Sequence, residues 1–319
     1  MKIGAQMTQV NRDNTMLREK IAQLKKEKNA IILAHYYTIP EVQEAADFVG
    51  DSLALAKNAA ETNADIILFA GVHFMAETAK ILNKDKKVLI PDMEAGCSLA
   101  DSCPAAEFEA FLKEYPDHAV LSYINCSAAV KTLSDIIVTS GNALKIVESL
   151  PKDEKIIFAP DRNLGAFINH ETGREMVLWN GACHVHDQLQ AEQVLALKCQ
   201  HPEAKVIAHP ECKGVVLALA DFVGSTVAML NYVTREMHNS YIVATETGIL
   251  YEMKKRNPQK EFFVVNSQES CSCNDCEYMK KNNLENIYQT LLYEQPELIL
   301  DEKTIELARK PIERMLFGS

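Results

Sequence analysis

Apolar residues along this chain gather into short unbroken runs, separated by longer stretches with helical spacing. Nine such runs stand out, at 30–34, 65–70, 87–90, 119–122, 155–159, 175–179, 205–208, 241–244 and 261–265. Apolar runs of this length that do not alternate with polar residues predict strands buried on both faces, as in parallel sheets covered by helices. Ahead of the first run, residues 16–28 place Leu17, Ile21 and Leu24 on one face of a charged helix.

The pattern repeats. Ala45-Ala-Asp-Phe-Val-Gly-Asp-Ser52 resembles both Leu133-Ser-Asp-Ile-Ile-Val-Thr-Ser140 and Leu219-Ala-Asp-Phe-Val-Gly-Ser-Thr226, with Asp47, Asp135 and Asp221 separated by 88 and 86 residues. Each copy follows one strand run and precedes a helical stretch and two further runs. The expected fold is α/β: three pseudo-threefold αβα repeats, each with a small three-stranded parallel sheet, around a central cleft. The repeats span 1–103, 104–188 and 189–276, and the tail 277–319 is expected to pack back on the first. A single large sheet is the competing arrangement.

Composition narrows the function. A formal charge of −11 disfavours nucleic acid and anionic membranes as partners. No run reaches the length of a membrane span, and residues 1–28 lack an apolar signal core, so a cytoplasmic protein is expected. The nine cysteines point to metal or redox chemistry in that compartment.

One cysteine follows the third strand of each repeat: Cys97, Cys183, and a member of the group Cys271-Ser-Cys-Asn-Asp-Cys276, with 86 residues from Cys97 to Cys183 and 93 from there to Cys276. Three thiolates meeting at one point favour a cubane iron–sulfur cluster with one iron left open. Zinc with three cysteines and a water competes, and Cys273 with Cys276 also has the spacing of a thiol switch. Cys103, Cys126, Cys199 and Cys212 are read as packing residues.

Strand ends in parallel α/β units face the ligand. The residues there are His35 and Tyr37, Tyr123 and Asn125, and His209 and Glu211, joined by His186 near the second cysteine. Ser52, Ser140, Ser225 and Thr226 stand where helices are expected to begin, and the free N–H groups of such ends attract carboxylates and phosphate. Tyr37, His209 and Glu211 are the candidates for proton transfer.

Taken together, Ala34-His-Tyr-Tyr37, Gly50-Asp-Ser-Leu53, Phe69-Ala-Gly-Val-His-Phe-Met-Ala-Glu-Thr-Ala79, Ala95-Gly-Cys-Ser98, Ser122-Tyr-Ile-Asn125, Phe158-Ala-Pro-Asp-Arg-Asn-Leu-Gly165, His209-Pro-Glu-Cys212 and Ala244-Thr-Glu-Thr-Gly248 resemble the quinolinate synthase family. The resemblance implies condensation of iminoaspartate with dihydroxyacetone phosphate to quinolinate, with release of phosphate and water, in de novo NAD biosynthesis. It implies one [4Fe–4S] cluster per chain on Cys97, Cys183 and Cys276, with the open iron acting as Lewis acid. It further implies catalytic Tyr37, His209 and Glu211, substrate-binding His35, Ser52, Tyr123, Asn125, Ser140, His186, Ser225 and Thr226, and a functional link to L-aspartate oxidase. Some relatives carry Cys-x-x-Cys-x-x-Cys where this chain has Cys271-x-Cys273-x-x-Cys276. A regulatory disulfide of Cys271 with Cys273 is therefore an open question. An iron–sulfur redox sensor without turnover and a cluster enzyme of the diphthamide-synthesis type are the rival readings.

Overall fold

The structure, a computed structural model, describes residues 2–265 and 274–317. The chain divides into two compact units, 1–96 with 277–301 and 97–276 with 302–319. Among the described residues, no helix is long and apolar enough to cross a membrane.

All nine strand runs form strands, and each copy of the repeated motif adds a further short one. The first unit holds β1 (Ala30–His35), β2 (Phe48–Gly50), β3 (Ile66–Ala70) and β4 (Lys87–Leu89), in the order β2-β1-β3-β4. The second unit holds two more sheets. One is built from β5 (Ala119–Tyr123), β6 (Ile136–Val138), β7 (Ile156–Ala159) and β8 (Val177–Leu178), in the order β6-β5-β7-β8. The other is built from β9 (Lys205–Ala208), β10 (Phe222–Val223), β11 (Ser240–Ala244) and β12 (Glu261–Val264), in the order β10-β9-β11-β12. Every pairing within the three sheets is parallel. The architecture is thus α/β with three small four-stranded parallel sheets flanked by helices, one strand more per repeat than the hydrophobic runs predict. The extra strand is only two or three residues long, too short to register as a run.

The repeated aspartate explains why that strand forms. In each copy the aspartate's Oδ2 accepts the backbone N–H of a residue in the first strand, from Ile32, Val120 and Val206, each at 2.8 Å. Its own backbone N–H donates to the carbonyl of that same residue at 2.9, 2.8 and 2.8 Å. Each aspartate therefore closes a two-bond clamp that sets the register of the strand that follows.

The next positions co-vary between the repeats. Phe48 and Phe222 are each followed two residues later by a glycine, whereas Ile136 is followed by Val138. A Cβ on Gly50 would lie 2.9 Å from the Phe48 ring, and one on Gly224 would lie 2.8 Å from the Phe222 ring. The aromatic ring occupies the space that a side chain would need; the second repeat solves the same position with two smaller aliphatic residues.

In the first unit, helices Lys2–Glu27 and Leu284–Tyr293 pack together over the sheet, burying Ile21, Ile32, Leu68, Leu284, Ile287 and Leu291 in one core. Glu294, just past the second of these helices, accepts from Lys28 at 2.6 Å and Lys87 at 2.5 Å. The tail divides at Asp301. Helix Glu302–Phe317 belongs to the second unit, where it lies on helix Ala128–Thr132 and β6 with Ile305, Ala308, Ile312 and Met315 buried. Its Arg314 donates to the Asp135 carbonyl at 3.0 Å.

Asp135→Ala leaves the Val120 N–H without its acceptor. We expect it to destabilise the protein by about 1–3 kcal/mol, the usual cost of stranding a buried donor, and Asp135→Asn to cost less. Urea unfolding checks both; equal midpoints for wild type and alanine variant would show that the clamp carries no energy.

Candidate functional site

A strand-end histidine recurs in two repeats with the same local geometry. His35 closes β1, and its Nδ1 accepts the Tyr37 N–H at 3.2 Å. His209 follows β9, and its Nδ1 accepts the Glu211 N–H at 3.4 Å. An imidazole that accepts at Nδ1 carries its proton on Nε2. The turn therefore presents two groups at once, an Nε2–H donor and the side chain two residues on. Buried polar side chains hold the neighbouring loops: Gln43 Nε2 donates to the carbonyls of Tyr36 and Thr38, each at 2.8 Å, and the fully buried Lys131 ammonium donates to the Cys126 carbonyl. Both residues stand four positions ahead of the repeated aspartate.

In the second unit the polar groups converge on Glu211, which is 2% exposed. Its Oε1 accepts the Tyr123 hydroxyl at 2.5 Å, and its Oε2 lies 2.9 Å from His186 Nδ1. His186 Nε2 lies 2.9 Å from Thr245 Oγ1. With a proton on Nδ1, the imidazole donates to Glu211 and accepts from Thr245. The His186 and His209 rings stack, with centroids 4.7 Å apart and planes 27° apart. Asn125 Oδ1 is buried with no hydrogen-bond partner among the described residues, an acceptor aimed at no protein donor.

Burial opposes charge on Glu211, but the facing His186 and His209 and the hydrogen bonds from His186 and Tyr123 outweigh it, holding the carboxyl at about 2. Burial drives His209 the other way, down to about 3 against the pull of Glu211, so the ring is neutral. Glu211 is thus an anion held by attraction to the facing imidazoles, His186 first, and by the hydrogen bonds from His186 and Tyr123.

The three predicted cysteines share one local structure. Cys97, Cys183 and Cys276 each stand immediately before a one-turn helix: Ser98–Asp101, His184–Asp187 and Glu277–Lys280. The residues after the first two meet, with Ser98 Oγ 2.6 Å from His184 Nδ1. Burial pushes the Cys97 thiol up to about 12, with further rises from Cys276 and Glu211. Burial also pushes Cys183 well up, with Glu211 and Cys97 adding to it. The three thiols therefore sit near enough for charge on one to oppose charge on another. Cys183, His186 and Glu211 also place one ligand atom each within 4.8 Å of one another. Both ring nitrogens of His186 are engaged, however, by Glu211 at 2.9 Å and Thr245 at 2.9 Å. Cys103, Cys126 and Cys212 are buried as free thiols and Cys199 is exposed. Cys271 and Cys273 lie outside the described residues.

The hydroxyls divide. Ser52 and Thr226 are the first residues of helices Ser52–Glu61 and Thr226–Arg235, and the caps are their predecessors. Asp51 accepts the Ala54 N–H at 3.0 Å, and Ser225 accepts the Ala228 N–H at 3.3 Å. Ser140 does not open a helix; it lies in a turn, and the helix Ala143–Ser149 starts three residues later, directly after Asn142, whose Oδ1 accepts the Thr139 N–H at 2.6 Å. The structure thus brings Tyr123, His186, His209, Glu211 and the three cysteines together in the second unit, and places His35, Tyr37 and Ser52 at the strand ends of the first.

Sequence reasoning passed over Asp161, Asn163, Thr245 and Glu246. Thr245 faces His186, and Asn163 Nδ2 donates to the Glu211 carbonyl at 3.1 Å and to Asp187 Oδ1 at 3.0 Å. The signal was present in Phe158-Ala-Pro-Asp-Arg-Asn-Leu-Gly165 and Ala244-Thr-Glu-Thr-Gly248, which directly follow strand runs.

Comparison with known proteins gives the chain a family. The family profile of quinolinate synthetase A protein (NadA) matches residues 19–317. The chain is 56% identical to the quinolinate synthase of Synechocystis sp. (strain PCC 6803) over 296 residues, covering 93% of each chain. It is 57% identical to that of Thermosynechococcus vestitus over 297 residues and 54% identical to that of Chloroherpeton thalassium over 299, again covering 93% of each chain.

The shifted histidine has a consequence for stability in metal-free protein. The unfolded chain binds a proton at His209 near the ordinary 6.5, and the folded chain only near 3. Stability therefore falls as pH drops through that window, and Glu211, held at about 2 against 4.5, adds to the loss below pH 4.5. Denaturant titrations between pH 7 and 5 should show a shallower slope for His209→Asn than for wild type; identical slopes would contradict a buried neutral imidazole.

Proposed function

Because the chain belongs to the quinolinate synthetase A family, we propose that it condenses iminoaspartate with dihydroxyacetone phosphate to quinolinate, releasing phosphate and two waters, in the cytoplasmic de novo route to NAD. One observation carries the reading at the level of residues: an ionised, buried carboxylate, Glu211, lies beside three cysteine thiols that oppose one another's charge. A functional link to L-aspartate oxidase fits a substrate that is itself the product of an amine oxidation.

The donor set fits an iron–sulfur group. The Cys97 and Cys183 thiols, whose pKa values burial raises, ionise only against a metal's positive charge. His186 is committed to Glu211 and Thr245, so the protein offers three thiolates, and soft sulfur ligands select a cluster over a hard cation. Cys97, Cys183 and Cys276 would hold a [4Fe–4S] cluster, which would supply a Lewis acid for the loss of a substrate hydroxyl through an iron that no protein group binds.

The remaining work falls to side chains. Asn125 Oδ1 accepts from the substrate, and the Nε2–H groups of His35 and His209 donate to its oxygens. The helix starts at Ser52 and Thr226, with Ser140 and Ser225, hold carboxylate and phosphate through N–H and hydroxyl donors. Glu211 takes and returns protons together with Tyr37 and His209. A carboxylate held at about 2 is a weak base, and it strengthens when a substrate oxygen draws away the Tyr123 or His186 proton that stabilises it. Substrate binding thereby raises the basicity of Glu211 at the moment it is needed.

Anaerobic purification with iron and sulfide counting, followed by a quinolinate assay, tests the proposal. We expect Cys97→Ser, Cys183→Ser and Cys276→Ser each to lose colour and activity and Cys199→Ser to keep both. Glu211→Gln should keep the iron and lose at least ~100-fold in kcat, in the range of a lost general base. Iron-loaded wild type without turnover would instead favour a redox sensor.

A further inference from the structure

Two buried carboxylates occupy the same place in successive repeats. Asp161 stands two residues past the end of β7, and Glu246 two residues past the end of β11; they are 0% and 1% exposed. Each divides its oxygens in the same way. Asp161 Oδ1 accepts the Leu164 N–H at 2.8 Å and so caps helix Arg162–Thr172, while its Oδ2 accepts the Cys183 N–H at 3.2 Å. Glu246 Oε2 accepts the Gly248 N–H at 2.6 Å, at the start of helix Ile249–Arg256, while its Oε1 accepts the Cys276 N–H at 3.1 Å. The two side chains differ by one methylene, and both reach from a helix start to the backbone amide of a cysteine proposed to bind the cluster.

Their neighbours extend the same framework. Asn163 ties Asp187, at the end of the helix after Cys183, to the carbonyl of Glu211, and Arg162 pairs with Asp187 at 3.1 Å. Beside Glu246, Thr245 bonds His186 and the Thr247 hydroxyl donates to Asp275, next to Cys276. The first repeat has Val72 at the equivalent position, and there the adjoining His73 N–H donates to the Ala95 carbonyl at 2.7 Å.

We propose that Asp161 and Glu246 are paired positioning residues, each fixing the backbone of one cluster-binding cysteine relative to a helix start, with Asn163 setting Glu211 in the same frame. The proposal rests on the cluster reading above. It follows from accounting for backbone donors: an amide held by a carboxylate cannot turn, so the residue's Cα–Cβ direction is set before any metal arrives.

The test uses cluster-loaded protein purified without oxygen. Asp161→Asn and Glu246→Gln keep size and one acceptor oxygen but cannot accept at both amides. Asp161→Ser keeps a good helix cap and loses the reach to Cys183. We expect each to release iron to a chelator roughly 10–100-fold faster than wild type, the usual range when a group supporting a metal ligand is lost. We also expect the Tm of Asp161→Ser stripped of iron to stay near that of stripped wild type. Release rates equal to wild type would overturn the proposal, as would faster release matched by an equal drop in the Tm of the stripped variant, since that marks a general loss of structure. A wild-type chain that binds no cluster would fail the functional reading itself, and the wild-type iron count separates the two cases.

Discussion

Everything in this protein is arranged about a small hydrogen-bonded device, the pair of bonds that each repeated aspartate makes to one residue of the neighbouring strand. Asp47, Asp135 and Asp221 supply a side-chain acceptor and a backbone donor to Ile32, Val120 and Val206. A parallel sheet cannot close its edge with a tight hairpin, so an edge strand of two or three residues needs another source of register. The clamp provides it. The residues after the clamp, at Ser52 and Thr226, then fall at the first turn of a helix, and the first strands deliver His35, Tyr123 and His209 at their ends. The chemistry of the strand ends is in this sense a by-product of how each short edge strand is pinned.

Much of this was legible in the amino-acid pattern. The nine apolar runs all became strands because unbroken Ile, Val and Leu at this length leave few other ways to bury both faces. The three edge strands were read as a motif and not as strands, since two or three residues carry no period. Ser140 was placed at a helix start by analogy with its siblings. The chain spends Gly141 and Asn142 on a turn there, and the helix begins later, directly after Asn142, which accepts the Thr139 N–H. Position in the repeat singles out Cys97, Cys183 and one member of the 271–276 group, the family resemblance implies Cys276, and a one-turn helix follows each of these three.

The carboxylates behind the site were harder to see. Asp161 and Glu246 belong to different residue types, and neither is near a cysteine in sequence, so nothing in spacing marks them as counterparts. What relates them is the count from the end of a strand, which becomes visible only once β7 and β11 are known to be equivalent. The ionisation of Glu211 was equally hidden, because it depends on Tyr123 and His186, which lie 88 and 25 residues away along the chain.

The pairing of Phe48 with Gly50 and of Phe222 with Gly224, against Ile136 with Val138, bears on how such a chain can have diversified. If the repeats descend from one ancestral unit, no single substitution converts one solution into the other without a penalty. A valine at Gly50 would collide with the aromatic ring, since its Cβ would already lie 2.9 Å from it. A lineage crossing between them must pass through a small pair such as Ile with Gly, which leaves space unfilled but forces no overlap. Loss of packing is then the tolerated step between the two solutions, in either direction.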